Sequence, residues 1–122
     1  MNSSRIRIAA IVMFLGVALG AFGAHALEDR LVANDRIATW DTAVMYHLIH
    51  GVVLFIIALT SPRSRSFFFF LAGIVIFSGS LYALSLTGIT KLGALTPIGG
   101  LCFLIAWFLW ILNPGKQSDT LS

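Results

Sequence analysis

The three histidines are the residues of this sequence whose type and spacing could do chemistry. His25, His47 and His50 all lie in stretches that are otherwise apolar. His47 and His50 are three residues apart and share a helix face, and Tyr46 precedes His50 by one turn. Ionisable side chains inside membrane spans are costly and often mark functional sites. Two interpretations stay open, a hydrogen-bonded bridge between helices and a binding site. The bridge is favoured, because no acidic residue accompanies the histidines within the apolar stretches.

Hydroxyl groups supply a second set of polar side chains in the apolar stretches. Ser78 and Tyr82 are four residues apart and fall on one helix face, and Thr96 is near the start of the last stretch. We expect neighbouring helices to bring these groups together with the histidines. His25 is expected to be well placed, because the alanines on both sides leave room for close neighbours. The predicted polar cluster consists of His25, Tyr46, His50, Ser78, Tyr82 and Thr96.

Patterns for catalysis and metal binding are weak or absent. The sequence has no nucleophile elbow, no phosphate-binding loop, no zinc-protease helix and no paired carboxylates. A pair such as His47 and His50 can bind a metal, and facing histidines in a helix bundle can hold haem, but two histidines alone are a weak signal. We therefore predict no catalytic residue, no metal site and no cofactor.

Four long stretches, which carry no charge except Asp41 at the edge of the second, must position these groups. They cover approximately residues 8–27, 40–61, 67–87 and 92–112. About 20 helical residues span roughly 30 Å, which is the thickness of the hydrocarbon core of a bilayer. The chain is 58% hydrophobic and 11% charged, whereas soluble domains carry about 25% charged residues. The sequence predicts an all-α membrane protein, in which residues 1–122 form one domain of four transmembrane helices in an antiparallel up-down-up-down bundle.

Small residues on the first stretch predict a helix contact. Gly16 and Gly20 are four residues apart, and Gly23 lies beside the same face. Small residues at this spacing let two helix backbones approach closely inside a membrane. We expect these three glycines to pack against a neighbouring helix and not to bind a ligand.

Basic residues predict the orientation in the membrane. The N-terminus, the second loop and the tail carry five of the eight, namely Arg5, Arg7, Arg63, Arg65 and Lys116. The other three, Arg30, Arg36 and Lys91, fall on the opposite side. Cytoplasmic loops are enriched in basic residues, so both termini are expected in the cytoplasm. No helix face is basic, which argues for a lipid partner and against a nucleic acid.

The first stretch has an alternative interpretation. Residues 24–26, Ala-His-Ala, resemble the cleavage site of a signal peptide. The apolar stretch before them is longer than the usual 7–15 or so residues of such a signal. We therefore favour a retained membrane span.

Three motifs resemble a known family. They are LGAFGAHAL at residues 19–27, FSGSLYALSL at 77–86 and LTPIGG at 95–100. Together with Tyr46 and His50, they make the chain similar to the YgdD/YwdK family of bacterial inner-membrane proteins, a domain of unknown function. The resemblance extends from the first apolar stretch to the fourth and implies a four-helix multi-pass protein. It implies no activity, substrate or catalytic residue, and His47 departs from the family pattern.

These observations favour a non-enzymatic small protein of the bacterial inner membrane, either an accessory subunit or a structural partner in a membrane complex. The alternative is a small-solute or proton-coupled transporter that acts as a homo-oligomer. Such transporters usually need a carboxylate inside the membrane, and Asp41, at the edge of the second stretch, is the single candidate. A redox or haem subunit is a third, weaker possibility.

Overall fold

A computed structural model describes residues 3–114 of the chain. Four helices are long and apolar enough to cross a membrane, and they confirm the prediction of an all-α membrane protein. A short helix and a 3-10 turn at Thr90–Ala94 lie between them. The helices of this range are α1 Ser3–Ala24, α2 Glu28–Ala33, α3 Ile37–Thr60, α4 Ser66–Thr87 and α5 Thr96–Leu112. Lys116, used above for the orientation, lies outside the described residues.

Some helices begin or end at other residues than predicted, and at the start of the first span the reason is that the helix includes polar residues. The first span begins at Ser3 and not near residue 8, because a helix can carry Arg5 and Arg7 at its end with their charged groups outside the apolar layer. It ends at Ala24, three residues earlier than predicted. The first loop contains the unpredicted α2, which is held by Leu31, a side chain that is 1% exposed.

Helix α3 lies between α1 and α4, and α5 packs against α4. Along α1, Gly16 faces Leu48 of α3, and Gly23 faces the indole of Trp40. The order of these contacts is reversed between the two helices, so α1 and α3 run in opposite directions. Both of these glycines are buried, and Gly20 faces Val44 in the same interface.

The interface between α4 and α5 depends on close approach of the two backbones. Residues Ile74–Ser78 of α4 form a π-helical turn. Gly99 of α5 lies against the backbone of this turn, and a Cβ atom added to it would be 2.7 Å from Cα of Phe77. In return, the ring of Phe103 occupies the space beside Gly73. An ordinary side chain at Gly99 would therefore separate the helices.

The apolar core lies between α1, α3, α4 and α5 in the half that contains the N-terminal end of α1. Its members are Ala9, Val12, Leu54, Ile57, Ala58, Phe67, Phe70, Ile74, Phe103 and Ala106. At this end, Arg5 donates a hydrogen bond from Nη1 to the carbonyl oxygen of Ser64 at 3.0 Å. Its guanidinium also lies over the rings of Phe67 and Phe68. Arg5 thus fixes the turn between α3 and α4 to the start of α1.

The first loop closes the opposite end of α4. Asn34 donates from Nδ2 to the carbonyl oxygen of Ser85 at 2.9 Å, and Arg30 donates from Nη1 to that of Leu86 at 3.1 Å. The last carbonyl groups of a helix have no partner within the helix, so these two side chains satisfy them from outside. Gly88 follows with φ 72°, the left-handed conformation that glycine adopts at helix ends.

Candidate functional site

His47 is the centre of a polar contact between three helices. It lies on α3, is 5% exposed, and has a hydrogen-bond partner on each ring nitrogen. Nε2 is 2.8 Å from the carbonyl oxygen of Val12 on α1, and Nδ1 is 2.7 Å from the hydroxyl of Tyr82 on α4. A carbonyl oxygen can only accept, so Nε2 carries the proton and donates to Val12. Nδ1 then accepts from Tyr82, and one neutral tautomer satisfies both contacts.

Trp40 extends this contact toward the end of α1. Its indole Nε1 donates to the carbonyl oxygen of Leu19 at 3.0 Å, and its ring centre is 4.7 Å from that of Tyr82. Trp40 is 1% exposed, and the missing side chain of Gly23 gives its ring the space that it fills. Together, Trp40, His47 and Tyr82 form what we call the histidine clasp, which connects α1, α3 and α4.

His50 belongs to a second polar contact, between α3 and α5. Its Nδ1 is 3.0 Å from the carbonyl oxygen of Tyr46, so Nδ1 carries the proton and donates within the helix. Its Nε2 accepts from the indole Nε1 of Trp107 at 3.2 Å. The imidazole also stacks on the ring of Phe103, with 3.9 Å between ring centres. His50 therefore adopts the opposite tautomer to His47.

Hydroxyl groups make two further contacts between helices. Ser78, in the π-helical turn, donates to the carbonyl oxygen of Ala43 on α3 at 2.7 Å. The hydroxyls of Ser80 and Thr96 are 2.7 Å apart and join α4 to the start of α5. Both serines are buried. Each hydroxyl therefore bridges neighbouring helices without needing a ligand.

The residues of the predicted cluster are divided among these contacts. Ser78, Tyr82 and His50 all contact α3 or lie on it, but Thr96 pairs with Ser80 at a different interface. The structure does not bring His25 into the cluster. Because α1 ends at Ala24, His25 lies in the turn beyond the helix, and its side chain is exposed. His47, which was left out of the predicted cluster, is the residue that bridges three helices, and its spacing from His50 was the available signal.

A groove between α3 and α5 adjoins His50. Its volume is about 630 Å³, and it is open to the surroundings of the protein. Tyr46 and His50 form one wall, and α5 forms the other with Gly100, Phe103 and Trp107. Tyr46 also packs on Phe77, which lines the groove as well, with 4.5 Å between ring centres. The groove is therefore lined mainly by aromatic rings and contains few polar atoms.

Metal ligands do not gather in the part of the chain that the structure describes. Between residues 3 and 114, no three side chains of His, Cys, Asp or Glu come close enough to hold one ion. Both nitrogens of His47 and of His50 have protein partners. A metal at either imidazole would have to replace one of these contacts.

Comparisons with known proteins agree with this architecture. The family described as "Protein of unknown function (DUF423)" matches residues 19–100. The chain is 41% identical to the membrane protein YwdK of Bacillus subtilis over 118 residues, which cover 91% of this chain and 95% of YwdK. It is 42% identical to the membrane protein SH2409 of Staphylococcus haemolyticus, with 91% and 94% of the two chains covered.

A membrane protein of Haemophilus influenzae is 38% identical over 113 residues, 88% of this chain and 90% of that protein. No solved structure matches the chain. The range 19–100 includes Trp40, His47 and Tyr82 of the histidine clasp, and the names of these relatives state no enzymatic activity. The chain belongs to the DUF423 family of multi-pass membrane proteins, whose function is not established.

Proposed function

We propose that the protein is a non-enzymatic accessory or structural subunit of a membrane complex. The main support for this proposal is that the polar groups inside the protein are hydrogen-bonded to one another. The imidazoles of His47 and His50 and the hydroxyl of Ser78 are used in contacts between the protein's own groups. Such contacts fix the positions of helices, and they already use these groups without a proton or solute.

The acidic residues support this proposal over transport. Glu28, Asp29, Asp35 and Asp41 are all exposed, and they lie in the first loop or near the start of α3. A proton-coupled transporter needs a titratable group at a site that opens to each side in turn, commonly a carboxylate within the membrane. The spans as described hold no buried carboxylate at all. The outer faces of α1 and α5 expose large apolar side chains, which suits them to lipid or to another membrane helix.

Two measurements test the proposal together. A photo-crosslinking amino acid at Phe108, 55% exposed on the outer face of α5, should form a discrete protein adduct in native membranes. The same group at Arg63, in the turn between α3 and α4, is the control for random collision.

In liposomes that contain a pH-sensitive dye, the protein should add no proton flux to that of empty liposomes. A flux that Asp41→Asn abolishes would contradict the proposal and support the transporter.

The proposal includes the location and orientation. We propose that the protein lies in a bacterial inner membrane, crosses it in an up-down-up-down order, and has both termini in the cytoplasm. Its basis is that five basic residues fall on the side of the termini and three on the other. A reporter that is active only in the periplasm should be silent when fused after Ser122 and active when inserted after Asp35, in the first loop. The reverse pattern would overturn the orientation.

A further inference from the structure

Tyr46 differs from the histidines, Ser78 and Tyr82 in its hydrogen bonding. Tyr82, Ser78 and both span histidines have partners, but the Tyr46 hydroxyl makes no hydrogen bond to any residue between 3 and 114. The ring is half-buried in the wall of the groove between α3 and α5. A hydroxyl without a partner is costly in hydrocarbon, because no water is present to bond with it. The groove thus offers one free donor on an otherwise apolar surface.

The depth of Tyr46 restricts what its hydroxyl can meet. Tyr46 is nine residues from the start of α3, so it lies roughly 14 Å along a helix of about 36 Å. Headgroups of phospholipids and charged groups stay near the membrane surfaces, because their transfer into the apolar layer is costly. A small molecule that binds at this depth is neutral, soluble in hydrocarbon and able to accept a hydrogen bond.

The walls of the groove restrict the partner further. Rings of Tyr46, Phe77, Phe103 and Trp107 surround it, and aromatic rings pack well against another flat ring. Its volume, about 630 Å³, lies within the range of small-molecule sites, roughly 300–1,000 Å³. The open side allows an apolar tail to continue into the bilayer. A flat ring, a neutral acceptor and an apolar tail are the features of a lipid-soluble quinone.

We infer that the groove between α3 and α5 binds a lipid-soluble quinone, with the Tyr46 hydroxyl donating to a ring carbonyl. The ring lies between Phe77 and the face of α5, and Gly100 leaves the space that it fills. His50 keeps its contacts with Tyr46 and Trp107, and its imidazole holds the ring of Tyr46 in place in the groove. This inference goes beyond the proposed function and does not depend on it, because a subunit of a complex can have such a site or lack it.

Quinone binding is measured on the full chain in lipid nanodiscs with a 1,4-benzoquinone that carries a decyl tail. Quinones quench indole fluorescence, and Trp107 lies in the groove, so we expect quenching that saturates. Quinone dissolved in the bilayer quenches without saturation, which separates the two processes. Tyr46→Phe should weaken the saturable binding about three- to tenfold, the effect of one hydrogen bond. Decylbenzene, which has the ring and tail but no acceptor, is added as a non-quenching competitor and should displace the quinone only weakly, with the same affinity for both proteins.

Two glycines provide a matched pair of variants. Gly100→Leu places a side chain in the groove, since the nearest atom to an added Cβ is Cδ2 of Phe77 at 4.0 Å, and should abolish the saturable component. Gly79→Leu faces open space on another side of α4 and should leave it unchanged. Leu101→Phe, at a 57% exposed position in the groove, adds bulk without adding an indole and should repeat the loss if Gly100→Leu does not fold. Quenching that does not saturate, or that is equal in the parent and in a folded groove-filling variant, overturns the inference.

Discussion

Gly99→Ala is expected to destabilise the protein by about 1–3 kcal/mol, the usual cost of forcing extra atoms into a packed interface. The added Cβ would be 2.7 Å from Cα of Phe77 in the π-helical turn of α4. A long side chain could move aside, but this neighbour is backbone, so α4 and α5 must separate. The free energy of unfolding, measured by denaturant titration in detergent micelles, should fall by this amount.

The next residue is the control for this prediction. Gly100→Ala makes the same chemical change one position along α5, where the nearest atom to the new Cβ is a ring carbon of Phe77 at 4.0 Å. Both changes alter helix propensity equally, and alanine favours a helix by about 1 kcal/mol over glycine. Gly100→Ala should therefore be neutral or slightly stabilising. If the two variants unfold alike, the contact between Gly99 and Phe77 is not tight in the membrane protein.

The parts of the fold that could be predicted are those with a strong signal in the sequence. A span needs about 20 residues without charge, and the chain repeats this signal four times between loops with charged residues. Helix α2 was missed because six residues are too few for a periodic pattern, and it depends on the tertiary burial of Leu31. The 3-10 turn before α5 was missed because Leu92 continues the apolar pattern of the helix that follows. The π-helical turn has no sequence signal that separates it from an α-helix.

The candidate site was harder to predict because it depends on where helices end and how they rotate. His25 follows an apolar stretch without interruption, but α1 stops one residue before it, so the side chain leaves the bundle. His47 and His50 are three residues apart on one helix, so their side chains differ in direction by about 60° around the helix axis, which is enough for them to meet different neighbours. Their opposite tautomers follow from the carbonyl oxygens that they meet, Val12 for one and Tyr46 for the other. No pattern within the sequence contains that information.

The histidine clasp leads to a second prediction with a large expected effect. His47→Leu removes the acceptor for the Tyr82 hydroxyl and the side-chain donor to Val12, and it leaves the hydroxyl of the half-buried Tyr82 without this partner. Leaving such a group without a partner costs about 1–3 kcal/mol. We expect a loss of that size in the free energy of unfolding in micelles. His25→Leu is the matched control, because it makes the same substitution at an exposed turn and should be close to neutral.

A double-mutant cycle separates the hydrogen bond from the packing of the imidazole. Tyr82→Phe removes the hydroxyl and keeps the ring that packs on Trp40. If the 2.7 Å contact between His47 and Tyr82 is the main stabilising interaction, the double variant should be more stable than the sum of the single effects predicts. The expected coupling is about 1 kcal/mol, since interhelical hydrogen bonds in membrane proteins average about 0.6 and reach about 1.7 kcal/mol. Single effects that simply add would mean that His47 stabilises the three helices by its volume and its contact with Val12, with Tyr82 as a neighbour only.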